Sequence, residues 1–272
     1  MLEAQNSDRI NIKDLVLEEP KPPQKPLFDP KLVGSLTELI LDMMEGYRVK
    51  REWFAFLHNA SSLKILFGDE CPDFRIGEFA YRQILDKLNA DRRANHWLNF
   101  TTDAKNLIIL FPERRADFML DEKAYRELQG DIENFPIKAS HPTYFDLALE
   151  SKFLFPDRDF SRTNLYGDPE AELIEILEAD REAAAWQDFA EHGMYLRLLY
   201  PQRFKEMSPI TDEQWQGLLS LPPVDPLDHY KNVKILAAKD ARITENGLEI
   251  IMEEPLSPVI ESVPELPLRR SF

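Results

Sequence analysis

Three arginines stand at equivalent places along the chain, each two residues after an aromatic residue and a proline. They are Arg114, Arg158 and Arg203, which follow Phe111-Pro112, Phe155-Pro156 and Tyr200-Pro201. A guanidinium carries five N–H donors and a permanent charge, so it suits carboxylates and unpaired carbonyl oxygens. We expect these arginines to bond the carbonyls that end a helix or to pair with an acid in the next structural unit. The alternative is a ladder that grips an acidic partner.

An acidic run extends from Asp168 to Glu191, where nine carboxylates are accompanied by a single cation, Arg181. Within it, Glu172, Glu175 and Glu178 recur every three residues and share one side of a predicted helix. Such a run is most often a solvated face, and the alternative is a docking surface for a basic partner. A bundle-type carboxylate metal site would need Glu-x-x-His pairs, and the sequence has none.

The remaining residues that could do chemistry form no recognised pattern. Cys71 is the only cysteine, and the five histidines, His58, His96, His141, His192 and His229, show no H-x-x-x-H spacing for zinc. The chain also lacks a glycine-rich phosphate loop, a G-x-S-x-G elbow and an H-E-x-x-H motif. We therefore predict no catalytic residues, no metal and no cofactor. An enzyme whose site is assembled across repeats stays open as a further possibility.

The formal net charge of −16 indicates which partners to expect. An acidic surface repels phosphate backbones and anionic lipid, so nucleic acid is a disfavoured partner. A nucleic-acid-binding protein is nevertheless the alternative, because Arg92, Arg93, Arg114 and Arg115 could form a local basic patch. The longest apolar run, 107–111, is too short to span a membrane, and residues 1–13 lack the apolar core of a secretory signal. We expect a soluble, cytoplasmic protein without membrane association.

An internal repeat organises these residues. The aromatic-proline position recurs, with Phe67-Gly68 as its first copy, at intervals of 44, 44 and 45 residues. Other columns keep the same step: Trp53, Trp97, His141 and Trp186; Phe56, Phe100, Tyr144 and Phe189; Ala60, Ala104, Ala148 and Gly193. The columns are spaced by three and four residues, which predicts one face of an α-helix, here called helix A. Helix A ends at the aromatic residue because proline cannot continue it.

A second helix, helix B, is predicted in each unit from its start signals. Asp121 and Asp168 are N-cap residues, the latter followed by Pro169, and residues 211–214 have the spacing of a capping box. A row of cations in helix A, Lys64, Lys152 and Arg197, is interpreted as a solvated face. Residues 243–252 are predicted to form a last helix B, after a shortened helix A in which Val233 to Leu236 resemble Leu63 to Leu66.

The predicted fold is all-α, an α-solenoid of about four two-helix repeats of 44–45 residues with degenerate terminal repeats. The helical-repeat domain covers residues 30–253, with units 51–94, 95–138, 139–182 and 183–226 and a partial unit 227–253. Proline-rich segments at 1–29 and 254–272 are predicted to be flexible arms.

Over about residues 31–253 the chain resembles the α-solenoid group of HEAT and armadillo-like repeats, in unit length and in having two helices per unit. The W-x-x-F and aromatic-proline signature is also similar to uncharacterised bacterial repeat proteins, and here the proline follows helix A instead of kinking it. The resemblance implies a binding scaffold. We therefore expect a non-catalytic scaffold for protein–protein interaction, and Arg114, Arg158, Arg203, Glu172, Glu175 and Glu178 are its candidate partner-binding residues.

Overall fold

The computed structural model describes residues 30–68, 71, 74, 76–134, 142–158, 168–207, 210–220 and 224–252. The α-helices in this part are α1 (Pro30–Lys50), α2 (Trp53–Phe67), α3 (Glu78–Arg93), α4 (Trp97–Leu110), α5 (Glu122–Asn134), α6 (Pro142–Leu154), α7 (Pro169–Glu182), α8 (Trp186–Leu199), α9 (Pro201–Glu206), α10 (Asp212–Ser220) and α11 (Pro226–Ala237). A 3-10 helix spans Pro112–Phe118, and strands β1 (Asp240–Thr244) and β2 (Gly247–Ile251) follow α11. The predicted helical class is confirmed, whereas the predicted arms lie outside the described residues.

The predicted helix starts are present as side-chain caps. Asp168 accepts a hydrogen bond from the backbone N–H of Glu170, and Asp121 accepts one from Ala124. Thr211 and Gln214 bond each other's backbone N–H groups, which completes the capping box. These caps satisfy N–H groups that the first turn of a helix leaves without an intrahelical partner.

Three A helices, α2, α4 and α8, pack against the helix that precedes them, through a tight turn of two or three residues. Three turns contain one residue in the left-handed conformation: Arg51 (φ 61°), Asn95 (φ 55°) and Ala184 (φ 53°), each two residues before a tryptophan of helix A. In the last of them, the N–H of Ala185 closes the turn on the carbonyl of Asp180 at 2.9 Å. The packing unit is therefore a B–A hairpin, and the predicted units 51–94 to 183–226 are offset from it by one helix.

The A helices do not form a row with two free ends. Among the described elements, α2 packs on α4, α4 on α6 and α6 on α8, and α11 packs on both α8 and α2. These five helices form a closed ring, with the B helices packed around it. The α-solenoid predicted from the repeat is not confirmed, because the last A helix contacts the first.

Two equivalent hydrogen bonds show how the ring closes. Arg197 of α8 donates to the carbonyl of Leu236 at the end of α11, and Lys234 of α11 donates to the carbonyl of Leu66 at the end of α2. Each cation binds the carboxyl end of the next A helix, where the helix dipole favours a positive charge. The interpretation of Arg197 as solvated was wrong: the residue is 8% exposed.

The final predicted helix is instead a β-hairpin. Ala241 and Ile243 are buried while Arg242 between them is exposed, which is the two-residue period of a strand. Asn246-Gly247 is a strong hairpin-turn signal, and Gly247 has a φ of 96°. The hairpin packs on α4, α6 and α8 and covers the end of the ring where the A helices finish.

Candidate functional site

Two of the three predicted arginines close a repeated structural clamp. Arg158 donates to Glu122 at the start of α5 at 2.8 Å, and its guanidinium carbon lies 3.9 Å from the ring centroid of Tyr125. Arg114 has the same relation to α3, 4.1 Å from the ring centroid of Tyr81 and 3.9 Å from the carboxylate of Glu78. The cation therefore fastens the segment after helix A to the preceding helix B.

Arg203 varies this arrangement. It lies 3.5 Å from Glu170 near the start of α7, but Leu173 takes the place of the tyrosine, and the guanidinium also donates to Glu206 at 2.8 Å. All three arginines are thus paired with an acid of a packed helix. These contacts agree with the interpretation that the three arginines stabilise the fold. Binding of an acidic partner by the same arginines stays a prediction, and these contacts do not support it.

The acidic residues of α7 have a different environment. Glu175 and Glu178 are exposed, whereas Glu172 is partly buried and its Oε2 has no hydrogen-bond partner. Within the described part of the chain, none of these three carboxylates pairs with a cation. The outer face of α7 therefore keeps its negative charge.

The arginines of the possible basic patch are each engaged within the protein. Arg92 pairs with Asp121 at 3.1 Å, and Arg93 donates to a carbonyl of its own helix. Arg115 donates to the carbonyls of Phe153 and Leu154 and to two carbonyls of the β-hairpin turn. Little of this positive charge is left for a phosphate backbone.

Polar residues occupy one equivalent position in every A helix. The position lies two residues after the phenylalanine column, about 200° around the helix from it, and therefore faces the ring centre opposite the B helices. The residues are His58, Thr102, Asp146, Glu191 and Asp228. Sequence reasoning missed this column. The signal that could have found it is a polar residue in every unit within an otherwise apolar helix.

Hydrogen bonds join these residues from one A helix to the next. Glu150 of α6 accepts from Thr102 of α4 at 2.8 Å, Tyr195 of α8 donates to Asp146 of α6, and Ser62 of α2 donates to Asp228 of α11 at 3.2 Å. In each pair, one residue belongs to the polar column and its partner lies one turn further along the neighbouring helix. The offset has the same direction in all three pairs, so the A helices run parallel. The last bond lies at the junction that closes the ring.

Charged side chains fill the centre of the ring. We define the central polar cluster as His58, Thr102, Lys105, Asp146, Glu150, Glu191, Tyr195, Asp228 and Lys231. Glu150 is 3% exposed and pairs with Lys105 at 2.9 Å. Burial disfavours the charged form of Lys105, but Glu150, Asp146 and Asp228 outweigh it and raise its pKa. The ion pair with Glu150 joins Lys105 of α4 to α6.

The carboxyl groups of the cluster differ in their proton affinity. Burial raises the pKa of Asp146, whereas the pKa of Asp228 is lowered, because hydrogen bonds from His58 and Lys231 outweigh its burial. The hydroxyl of Tyr195 contacts both Asp146 and Glu191. A phenol has one proton to donate, so both carboxyls are satisfied only when one of them is protonated, the direction in which the pKa of Asp146 is shifted.

Exposed apolar residues lie at the mouth of the ring, which is the end at which the A helices begin. Phe54 and Leu98 stand second in α2 and α4, and Val224 stands at the equivalent place before α11. They are 39%, 40% and 93% exposed. These three helices are neighbours, so the residues lie along one side of the mouth, here called the apolar arc, and the ammonium of Lys87 lies 3.1 Å from the ring centroid of Phe54. Asp188 of α8 is also exposed at the mouth, and Asp225 is exposed next to Val224 at the start of α11.

No family model matches this chain, and no curated protein or solved structure matches it. Among the described helices, none is long and apolar enough to cross a membrane. The described side chains likewise contain no group of three or more histidine, cysteine, aspartate or glutamate residues arranged to hold a metal ion. The candidate functional site therefore rests on the geometry of the ring mouth and of the central polar cluster beneath it.

Proposed function

We propose that this protein is a non-catalytic helical-repeat scaffold that docks a basic, amphipathic segment of another protein at the mouth of its ring. The observation that carries the proposal is the exposed apolar arc of Phe54, Leu98 and Val224, with the exposed carboxyl groups of Asp188 and Asp225 at the same mouth. Exposed apolar residues that form a patch with a polar border are typical of protein interaction surfaces.

Charge favours a basic partner. The central polar cluster contains four carboxylates and two lysines, and the whole chain has a net charge of −16. A lysine or arginine that enters the mouth would meet Asp228 and His58, whose side chains are 32% and 41% exposed. Such complementarity accelerates association and selects against acidic partners.

Binding without catalysis is supported by the way the acid–base groups are used. Glu150 is paired with Lys105, and Asp228 with Lys231 and His58. Burial raises the pKa of the Cys71 thiol to about 12, so the thiol is a poor nucleophile. A lone reduced cysteine also suits a reducing compartment, so a cytoplasmic location is part of this proposal.

A protein partner is favoured over nucleic acid, since Arg92, Arg93 and Arg115 are engaged within the fold. We retain nucleic acid as an outcome of the test.

The test is affinity capture from native lysate with the full chain, with and without nuclease. The Phe54→Glu/Leu98→Glu variant removes the apolar arc, and Leu39→Glu/Met43→Glu is the matched control, because that pair is exposed on the outer side of α1. We expect one protein to be recovered in stoichiometric amount, to be lost with the mouth variant and to be retained with the α1 control.

Recovery that depends on nucleic acid would overturn the proposal, as would equal loss with both double variants. Thermal unfolding of each variant checks that the ring still folds. Raising the salt concentration should weaken capture, because the contact is partly electrostatic.

A further inference from the structure

A cleft of about 420 Å³ lies away from the ring mouth, beside the end of α8. Its walls come from α7, α8, α9, α10 and β1. The volume is within the range of pockets that take small organic ligands, roughly 300–1,000 Å³. The cleft therefore has room for a molecule of two or three rings.

Positive charge is concentrated around this cleft. Its described lining includes four cations, Arg181, Arg197, Lys205 and Lys239, against one acid, Asp240. Such a surplus stands out in a chain with a net charge of −16. An anion is therefore the ligand that this lining favours.

Three of the four cations are available to a ligand. Arg197 is occupied, because it donates to the carbonyls of Leu236 and Ala238. Lys205 and Lys239 are exposed and form no ion pair within the described part of the chain. The Nε of Arg181 is shielded from solvent and has no hydrogen-bond partner. Arg181 is partly exposed and forms no ion pair within the described part of the chain, so its positive charge is available to a ligand.

Aromatic and aliphatic side chains line the rest of the cleft. The guanidinium carbon of Arg181 lies 5.6 Å from the ring centroid of Phe189, and that of Arg197 lies 4.8 Å from the ring centroid of Phe204. Trp215 also lines the cleft, together with Leu177, Met207 and Ile210. These surfaces favour an aromatic or acyl group on the same ligand.

We propose that this cleft binds a small organic anion that carries an aromatic or acyl group. The anionic group lies against Arg181, Lys205 and Lys239, and the apolar group lies against Phe189, Phe204 and Trp215. The site is separate from the ring mouth and does not depend on the function proposed above.

The test uses anilinonaphthalene sulfonate as the probe and phenylnaphthylamine as its control, since both have the same fused and single rings but only the first is charged. We expect saturable fluorescence enhancement at one site per chain for the sulfonate. We expect the neutral compound to bind at least about tenfold more weakly, because it lacks the charge-assisted hydrogen bonds. Energy transfer from tryptophan to the probe should decrease in Trp215→Phe and change little in Trp53→Phe, which would place the probe in the cleft.

Two variants and one control make the outcome decisive. Arg181→Met and Lys205→Met should each weaken sulfonate binding at least about fivefold. Because Lys205 is exposed, its replacement is not expected to affect folding. Arg82→Met, at an exposed cation of α3, should leave binding unchanged. Equal binding of both compounds, or sulfonate binding unaffected by Arg181→Met and Lys205→Met, would overturn the proposal. The Phe54→Glu/Leu98→Glu variant should bind the probe as the unmodified chain does.

Discussion

Arg158 lies over the ring of Tyr125 while it donates a hydrogen bond to Glu122, three residues earlier on the same helix. Tyr125 is buried and packs edge-on against Phe155, with 4.7 Å between the ring centroids. The aromatic-proline segment thus holds the tyrosine between a ring and a cation. Tyr81 is held in the same way by Phe111 and Arg114. The spacing of these residues in the sequence is explained by this clamp.

Charge reversal in the clamp should affect stability and leave partner capture intact. Arg158→Glu places a second carboxylate beside Glu122 and removes the cation over Tyr125, so we expect a lower thermal midpoint. Capture of a partner at the ring mouth should be unchanged, because the clamp lies on the outer helices. Lys50→Glu, at an exposed residue of α1 outside the clamp, serves as the control for added negative charge. An unchanged midpoint together with lost capture would assign Arg158 to a binding surface instead.

Ring closure makes the first and last A helices depend on each other. Asp228→Asn weakens the bonds with His58 and Ser62 between α11 and α2. We expect faster hydrogen exchange at backbone amides of both helices, since local opening of one removes the packing of the other. Asp188→Asn, at an exposed residue of α8, should change neither. Faster exchange confined to α11 would indicate that the ring is open in solution.

The pKa of Asp228 determines how the effect of Asp228→Asn on stability depends on pH. Its pKa is lowered in the folded protein, so the ionised group stabilises the fold above the pKa of the unfolded chain, about 3.9. That contribution is lost as the pH falls below this value. The difference in stability between the Asp228→Asn variant and the unmodified chain should therefore become progressively smaller as the pH falls below about 3.9.

Ala184 is a residue with a side chain in a conformation that favours glycine. Its φ of 53° lies in the left-handed region, where a Cβ costs about 1 kcal/mol or more. Ala184→Gly should raise the free energy of unfolding by about 0.5–1 kcal/mol. The expected gain is at the lower end of this range if the greater conformational freedom of glycine in the unfolded chain offsets part of the relieved strain. Asn95→Gly is the matched control: Asn95 has a φ of 55°, but asparagine tolerates this region, so its gain should be smaller. Chemical denaturation measures both, and destabilisation by Ala184→Gly would contradict the geometry of the turn.

Asp103 is a buried carboxyl whose charge destabilises the fold. The residue is 3% exposed, its Oδ2 lies 3.8 Å from the Nζ of Lys87 without a hydrogen bond, and burial outweighs this cation and raises the pKa of Asp103 to about 7. A raised pKa makes the fold lose stability as the pH rises from about 4 to about 7. Asp103→Asn should remove this loss, so its stabilising effect should grow over that range, reach about 2–4 kcal/mol and stay constant at higher pH. Thermal unfolding measures this effect, and Asp86→Asn, at an exposed residue of α3, should show no such trend. A gain in stability from Asp103→Asn that does not depend on pH would refute the raised pKa.

The positions of the A helices could be predicted because their columns combine large aromatic residues with a proline or glycine stop. Trp53 and Trp97 begin α2 and α4 as the repeat indicates. The contact between α11 and α2 could not be predicted, since it depends on the angle between successive units, which no local pattern encodes. Arg197 shows the same limit: at its place in the helix it looks solvated, and only the neighbouring helix end makes it buried.

The candidate site was less predictable than the fold. The residues that face the ring centre differ in type from unit to unit, as His58, Thr102 and Asp146 illustrate, so they form no motif. Their shared property is polarity at one helical position. The hairpin was missed because Ile243 to Met252 are apolar enough for a short helix, although Asn246-Gly247 marks the turn.

Closure of the A helices also fixes how many units this fold can contain. An open array grows or shrinks by duplicating or deleting a unit at its end, because each unit touches only its neighbours. Here an added pair of helices would have to enter between α11 and α2, which already share the bond between Ser62 and Asp228. It would also widen the centre and separate Lys105 from the carboxylates that surround it. Adding or deleting a unit would therefore break the contacts that close the ring, whereas a substitution within a unit leaves its number of helices unchanged.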